Sequence, residues 1–131
     1  MFTKTRRAID YYPPAADNGW LELAETSVFT RQITALLDDE EYREFQNELV
    51  ANPAQGPRIK GGGGIRKIRV GVGSHGKRGG ARIIYYWAMK TDLILLLFAF
   101  AKNERADLTR KQISQLAKMV KEEFGNESES V

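Results

Sequence analysis

The sequence predicts an α+β domain, a mostly antiparallel sheet packed against an N-terminal helical hairpin and a C-terminal helix. Apolar residues recur at helical spacing early and late in the chain, and three runs rich in β-branched and aromatic residues lie between them, joined by turn-forming links. The third run is apolar throughout, which predicts a strand buried on both faces at the centre of the sheet.

In chain order, residues 1–19 read as an appended arm, because Pro13, Pro14 and the Asp17-Asn18-Gly19 turn signal interrupt any period. Residues 20–25 partly alternate apolar with acidic side chains, which suits a half-buried first strand. Ser27 is expected to cap a first helix whose Phe29, Ile33, Leu36 and Leu37 fall on one side. Asp38 with Glu41 three residues on predicts a capping box opening a second helix, which buries Tyr42, Phe45 and Leu49 and stops before Asn52-Pro53. Strands are then expected over residues 65–72, 81–88 and 93–100, linked by a glycine-rich loop and a turn at Lys90-Thr91-Asp92, so that they form a meander. Thr109 and Gln112 predict a second capping box, and Ile113, Leu116, Ala117, Val120 and Phe124 give the closing helix its apolar stripe. Residues 20–124 are thus expected to form one domain, with 125–131 a flexible tail.

The size, 131 residues, suits a single core. The longest apolar run, residues 93–101, is too short to cross a bilayer, and no hydrophobic signal region follows Lys4, Arg6 and Arg7, so no membrane partner and a cytoplasmic location are expected. The chain has no cysteine and one histidine, His75, which excludes a cysteine nucleophile and a zinc or two-histidine metal site within one chain. Charge is strongly segregated. Residues 22–48 carry eight acidic and two basic side chains, whereas residues 49–91 carry nine basic ones and no acid. Such a field draws a polyanion, RNA or DNA, to one face.

Two nucleotide-binding patterns occur in this stretch and both fail on context. Residues 71–76 fit G-x-G-x-x-G, but a strand follows where the fingerprint must open a helix, and Arg78 stands where a P-loop needs Ser or Thr. Asp38, Asp39, Glu40 and Glu41 suit a helix N-terminus better than a magnesium site. The residues 61–64, all glycine, would let a nucleic-acid backbone approach closely.

The basic strands are more informative. Alternation puts Lys67 and Arg69 on one face, opposite Ile68 and Val70, and puts Arg82, Ile84 and Tyr86 on one face, opposite Ile83, Tyr85 and Trp87. An antiparallel partner can set Arg82 across from the Lys67–Arg69 row, and Lys102 emerges at the end of the third strand. Crowded like charges disfavour their own folded geometry unless an anion sits among them, which points to phosphate. For strand scission by the 2′-hydroxyl, arginines stabilise charge on the pentavalent phosphate, and an ammonium among other cations can transfer protons near neutrality. His75 is expected to be solvated, and at most one of Tyr85, Tyr86 and Trp87 to face a ligand.

Taken in order, Gly63-Gly64-Ile65-Arg66-Lys67-Ile68-Arg69-Val70, Gly76-Lys77-Arg78-Gly79-Gly80-Ala81-Arg82-Ile83-Ile84-Tyr85-Tyr86 and Phe98-Ala99-Phe100-Ala101-Lys102-Asn103-Glu104 resemble the HigB branch of the RelE toxin superfamily. The resemblance implies a RelE-like fold and a ribosome-dependent messenger-RNA endonuclease that acts in the decoding site without a metal or other cofactor. It also implies a co-encoded helix-turn-helix antitoxin whose complex with the toxin binds operator DNA. Lys67, Arg69 and Arg82 match the family's basic catalytic set and Lys102 the lysine after the last strand. Arg66, Lys77, Arg78 and Asn103 are expected to contact RNA. Well-known members have an arginine at the position of Asn103 and a tyrosine in the region of Thr109, so Lys67 and Lys102 are both candidates for proton transfer. Two alternatives share this fold or charge pattern: a non-catalytic toxin that inhibits a protein such as DNA gyrase, and a simple RNA-binding module. The intact Lys67, Arg69 and Arg82 set favours the nuclease.

Overall fold

The computed structural model describes residues 5–8, 21–71, 80–102, 104 and 107–125. The elements are β1 (Thr5–Ala8), β2 (Glu22–Glu25), α1 (Ser27–Leu36), α2 (Asp39–Ala51), β3 (Arg66–Val70), β4 (Ala81–Ala88), β5 (Leu93–Ala101) and α3 (Arg110–Phe124). The sheet order is β1-β2-β5-β4-β3. The chain is therefore α+β as expected, with the apolar β5 in the middle. Its partners run antiparallel except β2, which lies parallel to β5 with Glu22 opposite Leu93. The strand β1, to which sequence periodicity gave no signal, pairs antiparallel with β2 from Thr5 opposite Glu25 to Ala8 opposite Glu22.

Each face of the sheet carries one half of the core. On one side Leu23, Ile83, Tyr85, Ile94, Leu96 and Ala99 pack against Phe29, Ile33, Tyr42, Phe45 and Leu49 of the α1–α2 hairpin. On the other, Ala24, Ile84, Tyr86, Leu95, Leu97 and Phe100 meet Val120, with Ile113, Leu116 and Phe124 of α3 packed around them. Together the two layers remove nearly every large apolar side chain among the described residues from water, the main favourable term in folding.

Local chemistry fixes the helix starts. At α2 the Asp38 carboxylate accepts from the Glu41 N–H and the Glu41 carboxylate from the Asp38 N–H, and Thr109 with Gln112 does the same for α3. The expected cap at Ser27 is corrected to Thr26. Its hydroxyl accepts from the Phe29 N–H at 3.0 Å and donates to the Leu97 carbonyl at 2.9 Å, while its own N–H donates to Leu96 at 3.0 Å. One residue thus ends β2, starts α1 and pins both to β5, which Ser27 cannot do one position later. The first strand is also more enclosed than the half-buried one expected. Glu25, 3% exposed, lies inside, its carboxylate accepting from the hydroxyls of Thr30 and Tyr42. Burial of a carboxylate is tolerable only with such partners.

Candidate functional site: a cationic row on the β3–β4 hairpin

β3 pairs with β4 so that Lys67 faces Ile84 and Arg69 faces Arg82. Since cross-strand partners share a face, Lys67, Arg69 and Arg82 lie on the α3 side of the sheet, with Ile84 and Phe100 among them. Ile68 and Val70 pack toward the helical hairpin, as alternation requires. The Lys67 N–H donates outward to the Pro57 carbonyl at 3.1 Å, so Arg69, two residues on, also turns its peptide groups away from β4. Arg69 and Arg82 therefore form a non-hydrogen-bonded pair, the closer of the two kinds, with Cα atoms about 4.5 Å apart. Like charges in this position repel and destabilise the pairing. Arg82 is moreover only 7% exposed, whereas Arg69 is open to solvent.

One carboxylate enters this field, and the sequence reading missed it. Asp107 Oδ2 accepts from Lys67 Nζ at 2.9 Å, and Oδ1 accepts from the Leu108 N–H at 2.8 Å. Bonding to Lys67 holds the Asp107 carboxyl below the usual carboxylate range, against a small opposing effect of burial, and Leu108 and the charges of Lys67 and Arg82 reinforce the shift. The effect of Arg82 places the buried guanidinium within charge range of the same carboxylate. Among these described side chains, Lys67, Arg69 and Arg82 outnumber Asp107 and leave a local excess of positive charge. Nothing in the sequence signals this pairing, because Asp107 and Lys67 are 40 residues apart and Asp107 reads as an ordinary acid before a helix.

Lys102 follows β5 at the same end of the sheet, its N–H bonded to the Gly80 carbonyl at 3.2 Å, and its side chain is exposed. Arg66 is not brought to the row. It pairs with Tyr85 on the hairpin face, and its Nη1 donates to the carbonyls of Ala54 at 3.1 Å and Gly56 at 2.8 Å. Lys77, Arg78, Asn103 and His75 lie outside the described residues. None of the three aromatics of β4 joins the row. Tyr86 stacks on Phe124 with ring centroids 5.1 Å apart, and Trp87 packs on the hairpin side. Tyr85 donates to the Pro53 carbonyl at 2.7 Å and accepts from the Gly56 N–H at 2.9 Å. Burial pushes its phenol up, more than the Gly56 bond and the Arg66 charge pull it down.

On the other side of β3, a hollow of about 300 Å³ is lined by Glu41, Glu44, Phe45 and Glu48 of α2 together with Ile68, Arg69 and Val70 of β3. A polyanion is repelled there and drawn to the α3 side. Residues 27–131, most of the chain, match the family model of the RelE toxin of the RelE/RelB toxin–antitoxin system. The chain belongs to the RelE toxin family. It is thus the toxin of a toxin–antitoxin pair, and the family implies an antitoxin as its partner. Toxins of the RelE family are generally endoribonucleases. Among the described residues of this RelE-family chain, no helix is long and apolar enough to cross a membrane.

Proposed function

We propose that this RelE-family toxin is a messenger-RNA endoribonuclease of the HigB type, cutting ribosome-bound message in the decoding site. The observation that carries this reading is the direct opposition of Arg69 and Arg82 beside Lys67 on one face, a concentration of positive charge suited to a phosphate. A phosphodiester placed among them gains bidentate hydrogen bonds and charge neutralisation, and both strengthen as negative charge builds on the pentavalent phosphate. Arg69 and Arg82 stabilise that charge. Proton transfer from the 2′-hydroxyl and to the leaving oxygen falls to Lys67 and Lys102. Arg66 contributes through the 54–56 loop it holds, and Lys77, Arg78 and Asn103 extend the RNA contact. In the cell a helix-turn-helix antitoxin restrains the toxin, and operator DNA is bound by the complex of the two. The domain of residues 20–124 carries all of this in the cytoplasm, with the arm of residues 1–19 and the tail of 125–131 outside the chemistry.

Replacing Arg82 by Ala, with circular dichroism as a check on the fold, is expected to lower cleavage by about 100- to 1000-fold, the usual loss for one preorganised charge donor, and to abolish growth arrest on expression. Primer extension on translated messages reads the result. Codon-phased cuts with the wild type and none with the variant are expected. Full toxicity of a folded R82A protein, or growth arrest by the wild type without message cleavage, refutes the reading.

A further inference from the structure

A second hollow, this one cationic, lies at the start of α3. Lys60 and Gly61, at the tip of the loop before β3, and Arg110, Ile113 and Ser114, on the first turns of α3, line a cavity of about 450 Å³. This is within the range of small-ligand sites. Both cations are exposed, Ile113 is half-buried, and none of the described residues lining the space is acidic. Its two walls are firmly placed. The loop is closed by the Ile59 N–H on the Ile65 carbonyl and the Gly62 N–H on the Ile59 carbonyl, both at 2.9 Å, and a Cβ at Gly62 would meet Ile65 Cγ1 at 2.5 Å. Gly61, at φ +78°, faces open space, so a ligand can touch its backbone. The α3 wall is set by the Thr109–Gln112 capping box and, three residues before Arg110, by the Lys67–Asp107 bond. That bond makes the cavity and the catalytic row adjoining parts of one face.

We infer that this cavity binds a nucleotide flanking the cleavage point of the RNA strand, its phosphate between Lys60 and Arg110 and its sugar or base over Ile113, with the Ser114 hydroxyl as a further hydrogen-bonding group. The inference rests on the nuclease reading for the identity of the strand. Its physical basis is separate: two cations carried on well-placed backbone, with no carboxylate among the described lining residues, beside the apolar Ile113 and an approachable glycine backbone, fit the mixed polar and apolar surface of a nucleotide. An acidic peptide needs the charges alone.

The test is binding of a short single-stranded RNA, 2′-O-methylated throughout so that it cannot be cut, measured by fluorescence anisotropy across a range of KCl concentrations. The full-length wild type is compared with the K60A/R110A double variant and with the K60E/R110E charge reversal. Loss of one phosphate contact is expected to make the salt slope shallower by about 0.7 and the affinity about fourfold weaker at 0.15 M salt relative to 1 M, with a larger loss for the reversal. Unchanged slope and affinity in both folded double variants overturn the inference. So does a pair of variants that bind this RNA normally but no longer bind the antitoxin, since the occupant is then an acidic protein segment. Failure of the nuclease reading shows elsewhere, as retained cleavage by R82A, and leaves the salt slopes to be judged independently.

Discussion

Replacing Tyr85 by Phe removes one oxygen and two hydrogen bonds, and its cost can be worked from the structure. The phenol is fully buried, donates to the Pro53 carbonyl and accepts from the Gly56 N–H. Gly56 is buried, so its N–H loses its partner where water cannot replace it, a cost of about 1–3 kcal/mol. Pro53 is half-buried and its carbonyl regains some hydration, so about 0.5–1.5 kcal/mol is lost there. Relief from burying a hydroxyl returns on the order of 1 kcal/mol. The net loss is about 0.5–3.5 kcal/mol, or a fall in Tm of roughly 2–14 °C at about 4 °C per kcal/mol for a domain of this size. Urea unfolding and calorimetry measure it. The same loop accepts from Arg66 through Ala54 and Gly56 and holds the β3 edge through Pro57, so catalytic activity is expected to fall with stability. A Y85F protein within 0.5 kcal/mol of the wild type would refute the claim that this phenol locks the loop to the sheet.

Tyr85 also sets an alkaline limit. Its folded pKa is raised above the ordinary 10.0, so its contribution is complete below pH 10 and is lost as pH rises beyond that; Y85F should flatten the alkaline limb of a stability–pH profile. Asp107 behaves in the opposite sense. Its folded pKa is lowered below 3.8, so the Lys67 pair stabilises above that value and fades in acid, and D107N should remove this slope in acid unfolding while costing less than about 1 kcal/mol at pH 7, given how exposed the pair is. Gly80→Ala should destabilise by about 2 kcal/mol or more in urea titration, because φ is +58° and a Cβ would lie 2.1 Å from the Val70 carbonyl oxygen. An Ala at Thr109 should cost about 1 kcal/mol by loss of the α3 cap.

Where local pattern alone decides structure, the sequence was readable. The apolar run of β5 required a central strand, and the Asp38–Glu41 and Thr109–Gln112 spacings located two helix starts. Strand alternation put Lys67 and Arg69 on one face, and the register of the pairing, Arg69 opposite Arg82, brings Arg82 to the same face. The same rule, carried one residue further, sends Arg66 to the opposite face. What escaped depends on contacts distant in the chain. Thr26 outcompetes Ser27 as a cap through its bonds to β5, 71 residues away. Glu25 looks like a solvent-facing acid until Tyr42 and Thr30 are brought over it. Asp107 acquires its meaning only from Lys67, and β1 only from the edge of β2 that it covers.

The parallel pairing of β2 with β5 dictates the order in which this molecule can assemble. Glu22 meets Leu93 only after the whole intervening chain has been made, a long closure whose entropy must be met before the contact repays it. The α1–α2 hairpin and the β3–β4 ribbon are local and can form early, but both stay without a completed core until β5 slots between β2 and β4. Synthesis of the last third of the chain is therefore the step that commits the fold, and with it the moment at which Arg82 gains Phe100 as its partner across the sheet.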